Sequence, residues 1–163
     1  GRTIAFGHGL GCHVCLLRPK STGEVTLNSN DAFDSPKIDP KFFSEREDMD
    51  IMIKGYRKMM QIMDAEPLRP FTRKVQDPVD INSDADIEEA MRARADTVYH
   101  PVGTCKMGSD EMSVVNHELK VHALENVRVV DASIMPTLVG GNTNAPTIMI
   151  GEKAADMIKQ AWS

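Results

Sequence analysis

The sequence predicts a mixed α/β chain, α+β in its first part: an antiparallel sheet with flanking helices, then one strand and a closing helix. Three observations carry that prediction. Apolar and polar residues alternate on either side of a glycine-bearing turn within residues 12–29. Apolar residues recur at helical spacing in two later stretches, and a valine-rich segment is followed by a loop and a third such stretch.

The first element is a hairpin: "CHVCLLRP", then "KSTG", then "EVTLNS", with Val25 and Leu27 alternating against polar neighbours. Cys12 and Cys15 form a lone "CHVC". A structural zinc site wants four ligands, and no second pair follows. Residues three apart on a strand point to opposite faces, so buried, strand-borne thiols are expected rather than a metal site or redox pair. "DAFDSPKIDPKFF", with two prolines and several charges, is expected to be a loop.

Ser44 followed by Glu47 has the capping-box spacing, and Met49, Met52, Ile53, Tyr56, Met59, Met60 and Met63 share one face of a helix over 45–64. Such a methionine stripe serves as core or as an adaptable binding surface, and core is the expectation. "EPLRPFTRKVQDPVDI" breaks that helix with three prolines. Ser83 and Asp86 then open a second one, with Ile87, Ala90, Met91, Ala95 and Val98 on one face. "ENVRVVDASIMP" is expected as a short buried strand ending at Pro136. Ile150, Ala154, Met157, Ile158 and Ala161 make the stripe of the last helix.

Composition bounds the function. The 163 residues carry a net charge of −5 and no basic stripe, which excludes nucleic acid as the main partner. No run of about eighteen apolar residues exists to form a transmembrane segment. Three cysteines, an odd number, fit a reducing compartment. A cytoplasmic location is expected, with peripheral attachment to the inner membrane kept open. The chain starts "GRTIAFGHGLGCHVC", without an initiator methionine and already strand-like, so a fragment from the carboxy-terminal part of a larger protein is expected. Nothing in the sequence fixes an oligomeric state.

Two segments carry the chemistry. "GGNTNAPT", residues 140–147, crowds glycines, asparagines and a proline ahead of the last helix, which is expected to begin near Asn144. A helix amino terminus bears unpaired N–H groups and about half a positive charge, and Pro146 in the first turn costs little. The loop is either a well-capped helix start or a seat for a group that is, or becomes, anionic. In "YHPVGTCKMG", His100 lies in a loop without periodicity. An imidazole titrates near neutrality, so beside a substrate hydroxyl it could act as base. His8, His13, His117 and His122 lack such a setting and are read as structural or surface residues.

"YHPVGTCKMG", "NVRVVDASIMPT" and "GGNTNAPTIMIGEKAADMI", in this order and spacing, closely resemble the carboxy-terminal region of the glucose-methanol-choline oxidoreductases. "GHGLGCHVCLLRPKSTGEVTL" and "PKIDPKFF" resemble the substrate part of bacterial alcohol and choline dehydrogenase-like members. The resemblance covers nearly the whole chain. It implies FAD as cofactor, a small alcohol as substrate, and a quinone or other carrier as electron acceptor. It divides the chain into a substrate-binding portion, 1–98, and a catalytic and FAD-contacting segment, 99–163. The strand and helix of the latter would complete a Rossmann-type domain.

Residue by residue, the resemblance implies that His100 is the catalytic histidine and Asn144 the second catalytic position. Tyr99, Asp131, Ala132, Asn144, Ala145 and Thr147 fall where the family contacts its flavin: Asp131 and Ala132 near the pyrophosphate, Asn144, Ala145 and Thr147 near the pyrimidine edge. The sequence departs from the family pattern at Asn116-His117, commonly Asp-Pro, and at Ala123, commonly glycine. The G-x-G-x-x-G fingerprint is absent, because in "GHGLGC" cysteine stands at the sixth place. Alone, the chain is therefore expected neither to hold flavin tightly nor to turn over. A non-catalytic binding module and a hydroxynitrile lyase-type relative are the alternatives to an alcohol-oxidising enzyme.

Overall fold

In the computed structural model, residues 8–162 are described. Residues 1–7, which hold the start of the strand-like opening and the first glycine of "GHGLGC", lie outside them. The described chain forms two compact units. One joins the residues up to Leu16 to Glu45–Asp96, and the other joins Leu17–Ser44 to the residues from Thr97 onward.

The first unit is a helix pair, α1 (Arg46–Met63) and α2 (Asp84–Arg94). The methionine stripe of α1 faces inward: Met49 and Ile53 are buried, and Met52, Tyr56, Met59, Met60 and Met63 are half-buried. Ile87 and Met91 are buried from α2. Charged straps run between the helices on the outside. Arg46 reaches Glu88 at 2.6 Å and Asp50 at 2.7 Å, while Arg57 donates to the Ile81 carbonyl at 2.7 Å and to Asp84 at 2.5 Å. The guanidinium groups of Arg92 and Arg46 hold the Glu88 carboxyl below its usual range.

Ser83 caps α2 as expected, its Oγ accepting the Asp86 N–H at 3.2 Å. The box at Ser44 does not form. Lys41 and Phe43 adopt positive φ, Ser44 donates its N–H to the Lys41 carbonyl, and the helix starts one residue later, with Glu45 as its cap. The second helix also stops at Arg94. Ala95 turns extended, so Ala95 and Val98 leave the predicted stripe, and Val98 is exposed. Between the helices, the prolines of "EPLRPF" shape a 3₁₀ stretch, Glu66–Phe71.

The hairpin predicted over 12–29 is not formed. Residues 12–19 pair with no strand among the described residues. Cys12 is half-buried and Cys15 exposed, so neither is the buried, strand-borne thiol expected. Instead Val14 lies on α1 at Gly55, where a Cβ would come 2.7 Å from the Val14 Cγ2. Strand β1 (Glu24–Thr26) pairs antiparallel with β2 (Lys37–Asp39), inside the segment expected to be a loop. The register places Val25 opposite Ile38. Gly23 is obligatory there, because a Cβ would sit 2.1 Å from the Asp39 carbonyl oxygen.

In this second unit the core gathers Val115, Leu119, Ile134, Met135, Ile150 and Ala154, the last two from α3 (Asn144–Ala161). The buried strand expected over "ENVRVVDASIMP" is absent. Asn126 turns to positive φ, Val127 and Val130 are exposed, and Arg128 makes only an isolated bridge to Lys120. From Ala132 to Ile134 the chain winds into a 3₁₀ turn instead, because the Asp131 carboxylate accepts the Ser133 N–H at 2.8 Å. Of the predicted α3 stripe, Ile150 and Ala154 are buried and Met157 half-buried, while Ile158 and Ala161 are exposed. Among the described residues, no helix is long and apolar enough to cross a membrane.

Candidate active site

The site is built on the second unit, starting from the backbone around His100. Tyr99 adopts φ 62°, uncommon for a residue with a side chain, and its N–H donates to the Thr97 Oγ1 at 3.0 Å. Pro101 follows and disfavours a helical backbone at His100. At Gly103, φ is 90°, a conformation that suits glycine. The loop is then clipped to the 3₁₀ turn: Cys105 donates its N–H to the Ser133 carbonyl at 3.0 Å and Met107 to that of Ile134 at 2.8 Å. Beyond it, Lys106 grips Asp110 at 2.8 Å, and the ammonium together with the Ser113 hydroxyl pushes the Asp110 carboxyl down to about 2.

The other side of the site is the start of α3. Thr143 stands at the cap position, yet its hydroxyl caps no N–H. It lies 2.9 Å from the His100 Nδ1 instead. Its carbonyl accepts both the N–H of Thr147, at 3.0 Å, and that residue's hydroxyl, at 2.7 Å. Asn144 and Ala145 are exposed. No hydrogen bond within the described residues engages their backbone N–H groups, the Asn144 carboxamide or the His100 Nε2. The Arg18 guanidinium lies over the loop, where a Cβ on Gly140 would meet its Nε at 3.1 Å.

Thus His100 and Asn144, far apart in sequence, are joined through Thr143, with Ala145 and Thr147 in the same helical turn. Tyr99 stays largely exposed beside His100. Asp131 and Ala132 sit on the 3₁₀ turn that anchors the His100 loop, and that turn packs on α3 through Ile134 and Ile150. Thr143 is the residue that sequence reasoning passed over. A threonine ahead of a helix reads as its cap, and only the three-dimensional placement of the imidazole reveals its other use.

Comparison with known proteins gives a consistent picture. A family model described as GMC oxidoreductase matches residues 19–151. The chain is 50% identical over 159 residues to an alcohol dehydrogenase [acceptor] of Pseudomonas putida, covering 97% of this chain and 29% of that protein. It is 45% identical over 160 residues to the oxygen-dependent choline dehydrogenase of Escherichia coli K12, covering 98% and 29%. The chain therefore spans about three-tenths of the length of these relatives. Among solved structures, the formate oxidase of Aspergillus oryzae RIB40, studied for modification of its FAD, superimposes with a TM-score of 0.82 at 34% identity, over 90% of this chain and 26% of that one. An FAD-dependent oxidoreductase from Chaetomium thermophilum gives 0.80 at 28% identity, over 89% and 26%.

Proposed function

This chain belongs to the GMC oxidoreductase family, whose cofactor is FAD, and on that premise we propose that it is the carboxy-terminal part of an FAD-dependent dehydrogenase of primary alcohols. Residues 1–98 contribute to the substrate-binding side. Residues 99–163 form the catalytic and FAD-contacting segment, with α3 belonging to a Rossmann-type domain completed by the rest of the protein. A quinone or similar carrier, rather than this chain, disposes of the electrons.

The observation that carries the reading is the 2.9 Å contact of the His100 Nδ1 with Thr143, which holds the imidazole one residue from Asn144 with its Nε2 unengaged. His100 takes the hydroxyl proton of the alcohol at Nε2. The Asn144 carboxamide donates to the same oxygen and steadies the negative charge that grows there. FAD, when bound, supplies the acceptor for the hydride leaving the carbinol carbon. The residues of this chain suit such a cofactor. The unengaged N–H groups of Asn144 and Ala145 stand at the positive end of an 18-residue helix, ready for a ring edge that gains negative charge. On this reading Tyr99 and Thr147 border the ring, and Asp131 and Ala132 border the pyrophosphate.

The test uses the full-length protein with its flavin bound. Anaerobic bleaching of the flavin across a panel of alcohols identifies the substrate class, and His100→Ala slows that reduction by about 10²-fold or more at unchanged flavin content. Parental rates in His100→Ala would remove His100 from the mechanism. A flavin that no alcohol bleaches would favour lyase-type chemistry.

A further inference from the structure

We infer that Thr143 is a positioning residue for His100: its hydroxyl engages Nδ1 and so leaves Nε2 as the ring atom that exchanges a proton with substrate. The inference rests on the reading of His100 as proton acceptor and extends it to a residue with no assigned role.

The geometry separates this role from the ordinary one. A threonine at a helix cap usually accepts an N–H of the first turn through its side chain. Thr143 makes no such bond. Its side chain is directed to the imidazole, and the residue is only 7% exposed, so water competes poorly for the contact. Both partners are held from behind. The Thr143 carbonyl accepts two donors from Thr147, while His100 lies between Tyr99 at positive φ and Pro101.

A hydroxyl suits this task because it donates and accepts. When Nε2 carries the proton, Nδ1 is a lone pair and the Thr143 O–H donates to it. When Nε2 is bare, Nδ1 carries the proton and donates to the Thr143 oxygen. In the imidazolium, Nδ1–H again donates to that oxygen. The contact persists in all three states, so the ring need not turn as a proton arrives at or leaves Nε2. A carboxylate in the same place could only accept and would favour the charged ring. An apolar side chain would leave the ring free to rotate.

The experiment takes the full-length, FAD-loaded protein with Thr143→Val, Thr143→Ser and His100→Ala variants. Flavin reduction is followed by anaerobic stopped flow against pH. The His100 ring nitrogens are followed by 15N NMR, their signals identified by loss in His100→Ala. Thr143→Val is expected to slow reduction about tenfold, the scale of one lost hydrogen bond, and to displace the pH profile at unchanged flavin content. Thr143→Ser should restore both to the parental pattern. In the parent, Nδ1 should show a hydrogen-bonded shift at every pH. A Thr143→Val protein with parental rate and profile overturns the inference while His100→Ala remains slow. Rapid reduction in His100→Ala overturns the reading of His100 and this inference together. A parental Nδ1 shift typical of an unbonded nitrogen overturns it even if the valine variant takes up no flavin.

Discussion

Gly55, in the middle of α1, lies against Val14: a methyl placed on Gly55 would stand 2.7 Å from the Val14 Cγ2. Glycine inside a helix costs about 1 kcal/mol relative to alanine, so its presence here reflects contact rather than propensity. Overpacking a filled site costs typically about 1–3 kcal/mol, and valine is too stiff to swing aside. Gly55→Ala should therefore lower stability by up to about 2 kcal/mol once the propensity gain is subtracted. In a Val14→Ala background the same change should raise it, toward the full gain of about 1 kcal/mol. Denaturant midpoints of the four proteins close this cycle. Additive effects would show that the contact is not made.

Among the described residues of the first unit, Ser83 is the one side chain that caps a helix. Its replacement by alanine should cost about 1 kcal/mol, within the 0.5–2 kcal/mol usual for such caps. Ser83→Asp should recover most of it. Ser44→Ala, at the box that does not form, should change stability by less than about 0.5 kcal/mol. Equal losses at the two positions would mean that both serines cap.

The Asp110 carboxyl is pushed down to about 2 by Lys106 and Ser113. A carboxyl whose folded value lies below its unfolded one stabilises the fold above the unfolded value and loses that effect as pH falls through the folded value. The turn at 106–113 should accordingly hold its full contribution above about pH 4 and lose it between there and about pH 2. Asp110→Asn should be less stable than the parent at pH 7 and indistinguishable from it at the acid end. Because the pair is exposed, the difference should shrink in high salt. Equilibrium unfolding against pH at two ionic strengths checks both statements.

Asn144 offers a carboxamide that nothing in the described chain engages. In the full-length protein Asn144→Ala should slow flavin reduction about tenfold or more, the scale of a lost hydrogen bond to a group gaining charge. Asn144→Asp should be slower still, since a carboxylate there repels the same charge. Stopped-flow reduction of the two variants, with flavin content measured alongside, reads the outcome. Parental rates in both would exclude the carboxamide from the reaction.

The helices were legible because each announces itself locally. The α1 stripe from Met49 to Met63, the Ser83 cap and the Ile150–Ala154 spacing all depend on neighbours within a few turns. The strands were legible only in part: the "EVTLNS" expected as a strand of an antiparallel pair contains β1, but its partner lies in the segment expected to be a loop. Glu24–Thr26 is three residues long with both faces exposed, and its partner Lys37–Asp39 hides between two prolines. Pairing across such a distance leaves no periodic trace. Likewise "ENVRVV" has the valines of a strand, but in the described chain it finds no neighbour able to complete a ladder, and Asp131 closes a turn in its place. His100 and Asn144 stood out through the motifs that contain them. Thr143 did not, because its hydroxyl serves a residue forty-three positions earlier.

The clip between the His100 loop and the 3₁₀ turn ties the proposed proton acceptor to melting. Cys105 and Met107 bind backbone that carries Ile134, and Ile134 shares its core with Ile150 of the helix whose first turn follows Thr143. Heat that loosens this small apolar cluster thus slackens both anchors of the imidazole at once. Inactivation of the full-length protein on warming should therefore accompany the onset of disorder in that cluster.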